Sequence, residues 1–453
     1  MSLENYLEEE MREMHEGIRS TLGNKIRRSS KENYESYVDE KIDIAYKEFI
    51  ISRGSREAED NYCFALDLLK RFNYTLDDAL RTLPKLDEST DGIFFSAMLN
   101  KLMTKDDDVE IEVSNRLHYL GMFHENGKLT IKANSKFYRG YPPMYLGYKQ
   151  KGGSLVLNLP AGRGVGDYRE GGDLIINEMC QEGLLNVKGG NVKILSIVPI
   201  ENFGNLAKDQ ESGEIVIMCD IPKIVGYVGP NQKGGKLIVE GTSYARDHAY
   251  GQEGGSAIFK DIFADHQGGG SLAWLKKGGE ILVEGDFRGS SVGVNQKSGK
   301  TSINGNCEAD IGQDCKSSAE LYVRGNVNGN VGRYAKGGKI IIDGNLKGNI
   351  GDLAEHSLKV KVAGDVHGNI DLLSIFGSYD DKKLPGFEIE VGGMVDGDVR
   401  IHRNSKVTVC KKVTGTVGDG MVSGEINVDI SVGKVGDSFG GEVINLARKT
   451  FHA

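Results

Sequence analysis

The sequence predicts a mainly β protein, a parallel β-helix (solenoid) preceded by a small α-helical domain. Three observations predict it. One segment recurs about every 20 residues, each copy carries period-two aliphatic alternation, and glycine content rises once, sharply, near residue 108.

The clearest repeats lie between Gly278 and Ser374: GGEILVEGDFRGSSVG, SGKTSINGNCEADIG, SAELYVRGNVNGNVG, GGKIIIDGNLKGNIG and SLKVKVAGDVHGNID. Their central glycines, Gly285, Gly305, Gly325, Gly344 and Gly364, are 20, 20, 19 and 20 residues apart. Self-similarity at a fixed period of this length marks a solenoid, each repeat stacking on its neighbours. Ile281, Thr301, Leu321, Ile340 and Val360 form one column, and Val283, Ile303, Val323, Ile342 and Val362 form another two residues on. This alternation belongs to a strand with one buried face. A third column follows the central glycine (Phe287, Cys307, Val327, Leu346, Val366) and a fourth comes later (Val292, Ile311, Val331, Ile350, Ile370). Four inward columns per repeat leave no room for a helix, and the Leu/Asn consensus of a leucine-rich repeat is missing.

Stacked coils put like above like at about 4.8 Å. Corner glycines are expected to supply positive φ. The polar column after the central glycine (Asp286, Asn306, Asn326, Asn345, Asp365) suits a ladder of turns or a row of ligand-binding groups. A calcium-binding nonapeptide roll is disfavoured because GGxGxD does not recur, and a hexapeptide helix because no period of six is present.

The pattern GG-x-[IV]-x-[IV]-x-G followed by G-x-x-G resembles the G-x-G-x-G repeat domain. That domain closes the large subunit of glutamate synthase and makes up the C subunit of formylmethanofuran dehydrogenase. The match is clearest from Gly278 to Asp371 and looser from about Gly152 to Gly441. The resemblance implies a right-handed β-helix that is itself non-catalytic and supports catalytic domains or subunits.

Only Gly17, Gly23, Gly54 and Gly92 of the 62 glycines precede residue 110, which sets the domains at 1–108 and 109–453. The first domain is acidic, with 24 acids against 16 bases, whereas the remainder is balanced at 41 against 40. Net charge therefore offers no basic surface for nucleic acid. No apolar run reaches the roughly 18–20 residues of a membrane span. The N-terminus lacks the basic start and apolar core of a secretory signal. Cys63, Cys180, Cys219, Cys307, Cys315 and Cys410 form no CxxC pair, which favours reduced thiols and a cytoplasmic location. Helices are expected over 2–22, 31–52, 55–72, a short segment capped by Thr75, and 90–104.

Earlier coils begin at Gly152, Gly171, Gly189, Ser212 and Gly234. Loop insertions are expected near 242–277 and 373–387. The first holds the only tryptophan, Trp274, and two Asp-His pairs, Asp247-His248 and Asp265-His266, whose spacing of 18 residues is about one turn. Stacked one above the other, they could form a metal site or an acid-base pair, though neighbours in a strand point to opposite faces. Arg163, within Gly162–Gly166, could join backbone amides in holding an anion, but the G-x-G-x-x-G spacing is absent. All six are candidate binding residues; no catalytic residue, resident metal or cofactor is expected.

Two functions compete. One is a non-enzymatic scaffold or assembly subunit, because outward positions are mostly Lys, Glu, Asp or Asn. Its expected partners are other protein subunits or further copies of the chain, with no nucleic acid or membrane. The alternative is a β-helix enzyme acting on carbohydrate through a side groove, with carboxylates and Arg transferring protons. The chain ends are expected to be shielded, by residues 1–105 and by 442–453, because exposed strand edges invite pairing.

Overall fold

The computed structural model describes residues 41–50 and 57–445 apart from short stretches, the longest being 373–385. The expected helix over 2–22 and the insertion over 373–385 lie outside the described residues. The chain divides into two compact units, Met1–Lys85 and Leu86–Ala453.

The first unit is helical over 41–50 (α1), Ala58–Leu69 (α2) and Leu76–Thr82 (α3). Thr75 caps α3 as its sequence predicts: its hydroxyl accepts from the Asp78 amide at 3.3 Å, and the Asp78 carboxylate accepts from the Thr75 amide at 2.7 Å. Among the described residues no helix is long and apolar enough to cross a membrane.

The second unit opens with Asp91–Leu102 (α4), which belongs with the strands. Ile93, Phe94, Phe95, Met98 and Leu99 are all buried. The helix lies against the first coil, where Ser96 Oγ donates to the Tyr119 carbonyl (2.9 Å) and Asn100 Nδ2 to that of Met122 (2.8 Å). Gly92 permits the approach, because a Cβ there would sit 2.0 Å from the His118 carbonyl oxygen.

Beyond it the described residues form a parallel β-solenoid with turns about 20 residues apart. The expected columns are the observed registers. Ile281 pairs with Thr301, Thr301 with Leu321, Leu321 with Ile340 and Ile340 with Val360, and the column beginning at Val283 runs beside it. Phe287, Cys307, Val327, Leu346 and Val366 stack likewise, as do Val292, Ile311, Val331, Ile350 and Ile370. Leu155, Leu174, Val192, Ile215 and Leu237 extend the first column towards the N-terminus. At roughly 1.5–3 kcal/mol for each fully buried aliphatic side chain, these interior columns are the main stabilising term.

Corner glycines do supply positive φ, and one expectation, that of the 242–277 insertion, changes. The central glycines are not among those with positive φ. Gly325 is glycine because a Cβ would lie 2.4 Å from the Gly305 carbonyl oxygen of the coil before it. Positive φ falls elsewhere, as at Gly279 (72°) and Gly312 (70°). The stretch 242–277, expected as an insertion, contains a regular coil. Ser256–Phe259 pairs in register with Lys236–Val239 on one side and with Glu280–Val283 on the other, and after a register shift Asp261 and Ile262 pair with Thr242 and Ser243. Gly254, Gly255, Ala257 and Phe259 supply the usual pattern there, with Ala and Phe in place of branched aliphatics.

The column after the central glycine is a ladder of turns. Each side-chain oxygen accepts the amide of its successor: Asp286 from Asn306 (2.7 Å), Asn306 from Asn326 (2.9 Å), Asn326 from Asn345 (2.9 Å) and Asn345 from Asp365 (2.8 Å). A second ladder runs through Asp310, Asn330, Asn349, Asn369 and Asp398 at 2.7–3.1 Å. Both satisfy corner amides that the β pairing leaves open.

A third polar column lies inside. Gln150, Arg169, Gln210, Gln232, Gln252, Lys276 and Gln296 are fully buried. Six of them donate to the carbonyl three residues on, always a glycine: Gln210 to Gly213 (3.0 Å), Lys276 to Gly279 (2.8 Å) and Gln296 to Gly299 (2.7 Å) are examples. Most also reach the next coil, as Gln232 does to Ser256 (3.0 Å) and Lys276 to Lys300 (2.9 Å). The amides of Gln252, Gln232 and Gln210 link in turn at 2.9 and 3.2 Å. Corner carbonyls turned inward must find donors, and this spine provides them.

Candidate functional site

The Asp247-His248 coil is placed by a two-residue strand between Tyr227-Val228 and Ser271-Leu272. The residue stacked on Asp247 is therefore Ser271, 24 positions on, and the one on His248 is Leu272. The register here is 24 residues, against the 18-residue spacing of the two Asp-His pairs. Asp265 and His266 themselves lie outside the described residues.

Asp247 and His248 are both buried, and each has a separate role. Asp247 accepts from Arg246 Nε (2.9 Å) and from the Ser271 amide (3.1 Å), tying its corner to the next coil. His248 Nε2 meets Ser243 Oγ at 2.7 Å, and its ring packs edge-on against Phe259 at 5.2 Å. A Ser-His contact of this length is the start of a nucleophilic triad. Here Ser243 and His248 are both sealed from solvent, and the neighbouring carboxylate is held by Arg246 and Ser271. The pair fills an interior polar gap. Among the described residues no group of three metal-ligating side chains stands together.

Trp274 is 41% exposed at the corner, just before the buried Lys276. Its ring meets Tyr250 at 6.1 Å, Tyr250 meets Tyr227 at 5.8 Å, and Arg246 lies over Tyr227 at 4.7 Å. Asp247 and Trp274 thus border one aromatic corner through Arg246, while His248 points away from it.

Arg163 lies in a different place. Its guanidinium pairs with Glu182 (2.9 Å). The amides expected to cradle an anion are engaged: those of Gly162, Arg163, Gly164 and Gly166 donate to Pro143 O, Gln181 Oε1, Glu182 O and Leu146 O. An anion cradle is therefore not formed. The corner's unusual member is Asp167, which sequence reasoning passes over. It is buried and accepts from the Leu185 amide at 2.8 Å. Burial pushes its carboxyl up to about 7; Glu182 adds to the rise, and the Leu185 bond and Arg163 oppose it. Tyr145 stacks on Tyr119 at 4.8 Å beside this corner, with Tyr148 edge-on to both.

Lys276 is the other perturbed group. Burial lowers it from 10.5 to about 7, against the pull of Glu280. Arg169 is lowered to about 10 by burial and stays a cation at neutral pH, held by the carbonyls of Asn191, Gly171 and Gly172 at 2.7–2.8 Å. These groups bind the coils to one another. No protein-family model, curated protein or solved structure matches this chain, so the geometry alone must carry its interpretation.

Proposed function

We propose that this chain is a non-catalytic scaffold or assembly subunit of a cytoplasmic complex. In that role it resembles the β-helix parts of glutamate synthase and formylmethanofuran dehydrogenase. The observation that supports it is the commitment of reactive side chains to structure. Ser243 and His248 are sealed inside, Asp247 ties two coils, Arg163 is paired, and Lys276 and Arg169 cap interior carbonyls. Such groups are poor acids, bases or nucleophiles, which need access to a reacting atom. The described cysteines are free thiols, which suits a reducing compartment.

Affinity purification from the native source tests the proposal. Stoichiometric recovery with other protein subunits is the expected result. A chain recovered alone that turns over carbohydrate polymers would replace it with the groove-enzyme alternative, and Asp167 and Glu182 would be the first carboxylates to substitute.

A further inference from the structure

We infer that the outer face of the long sheet is a self-association surface, and that its occupant is a second copy of this chain. This rests on the scaffold reading and specifies one of its partners. Outward positions of that sheet are not uniformly polar. The row midway between the two inner columns runs in register through Ile175, Lys193, Val216, Ile238, Ile258 and Leu282. Ile341 lies further along the same row, beyond Ser302 and Tyr322. In the adjoining outward row Leu195 and Met218 are each 40% exposed, and both are among the few large apolar side chains that open to solvent. From Ile175 to Ile341 the stripe is about 40 Å long and, with its flanking rows, about 15 Å wide. That is about 600 Å² on one copy and about 1,200 Å² for a pair, the lower limit of stable protein interfaces. Lys193, Ser302 and Tyr322 interrupt the row, so its continuous aliphatic part is Val216, Ile238, Ile258 and Leu282, and an apolar centre rimmed by polar residues is the pattern of a contact surface.

The charges beside the stripe select a second copy. Each coil carries one outward residue before the stripe and one after it, four positions apart on the same strand. A two-fold axis parallel to the stack lays the first over the second of the partner, while each stripe residue meets its own counterpart. Lys236 then meets the copy's Glu240, Glu320 meets Arg324, and Lys339 meets Asp343, all opposite in sign. Two like-charge meetings occur: Lys193 of the stripe meets its own counterpart, and Glu280 meets Glu284, beside which Lys260 of the neighbouring coil stands. Packed sheet faces stand about 10 Å apart, which sets the spacing of the two copies.

Sedimentation of the purified full chain from about 1 to about 100 µM, a range spanning micromolar Kd values, tests the inference. The expected result is a dimer whose Kd rises at least about 30-fold in Ile258→Lys, the loss typical of a central interface residue. Lys339→Glu weakens the dimer, and Lys339→Glu with Asp343→Lys restores it. A wild-type chain that stays monomeric throughout, or a dimer insensitive to these changes, overturns the proposal. Circular dichroism monitors folding; should Ile258→Lys unfold, the charge-swap pair decides alone. A pure monomer recovered natively with other subunits would sink self-association and leave the scaffold standing. A dimer that degrades carbohydrate would do the reverse.

Discussion

The solenoid buries ionisable groups where backbone carbonyls or amides need partners, and two of them, Lys276 and Asp167, are sensitive to pH. Lys276 occupies a position that glutamine fills in the coils beginning near Gln210, Gln232 and Gln296, and it makes the same bond to the glycine three residues on. Folding lowers its pKa from 10.5 to about 7. The unfolded chain therefore holds the proton more tightly between those values, so this burial destabilises fully below pH 7 and the penalty fades as pH rises towards 10.5. Lys276→Gln should gain about 1–3 kcal/mol at pH 7, a conservative part of what the shift implies, and the gain should vanish near pH 10.5. Denaturant unfolding across that range checks it. Asp167 runs the other way. Its folded carboxyl keeps the proton to about 7, against 3.8 unfolded, so its contribution to stability falls as pH rises between those values. Asp167→Asn retains an acceptor for the Leu185 amide; it should stabilise by about 1–3 kcal/mol at pH 8 and change little below pH 4. An Asn variant equally destabilised at both pH values would show that the charge is not what matters there.

At the scale of one coil, the inward columns and the Asn ladder were legible in the sequence, because stacking forces the same side chain into the same place each time. Ile340 over Val360 and Asn326 over Asn345 follow directly from aligning five segments. The interior spine escapes the alternation rule, since its members sit at a corner, outside any strand. Its signal is still written in the chain, as QKGG at 150 and 232, REGG at 169 and KKGG at 276. The outward stripe is likewise visible as runs of three apolar residues, LII at 174–176, LIV at 237–239 and ILV at 281–283, whose middle member faces out. The candidate site was less legible, because a coil of 24 residues shifts which side chain lies over Asp247, and no repeat length announces that. The central glycine gives a sharp test of the coil's construction. Gly325→Ala should destabilise by more than about 2 kcal/mol, since its Cβ would meet backbone at 2.4 Å. Asn326→Ala removes the exposed hydrogen bond accepted from the Asn345 amide and the longer one donated to Asn306 Oδ1 (3.4 Å), and should cost about 0.5–1.5 kcal/mol. If instead the alanine at 325 were the milder change, the coils would have to be spaced more loosely than the register requires.

A solenoid grows by adding coils, so its ends decide whether it stops. The first strand, Asp108–Val113, pairs in parallel with Lys128–Ala133, and α4 lies against the corner that joins them. At the far end Glu442–Asn445 pairs with Gly424–Val428 as a further rung, while residues 446–453 lie outside the described part. The shield expected from residues 1–105 is thus supplied, on the first coil, by α4. Phe94, Phe95 and Met98 each remove a large apolar surface from water, and Gly92 lets the helix come close enough to do so. A chain beginning at 86 keeps this helix, whereas a chain beginning at 106 leaves the first coil bare. The first should remain soluble with the full protein's β-type circular dichroism. The second should associate end to end, because a stack of matched coils with an open edge offers its hydrogen-bonding groups to any similar edge. Light scattering during concentration separates the two. A chain beginning at 106 that stays as dispersed as the one beginning at 86 would mean that the first coil closes itself, through the tyrosine stack of Tyr119 and Tyr145, without a helix.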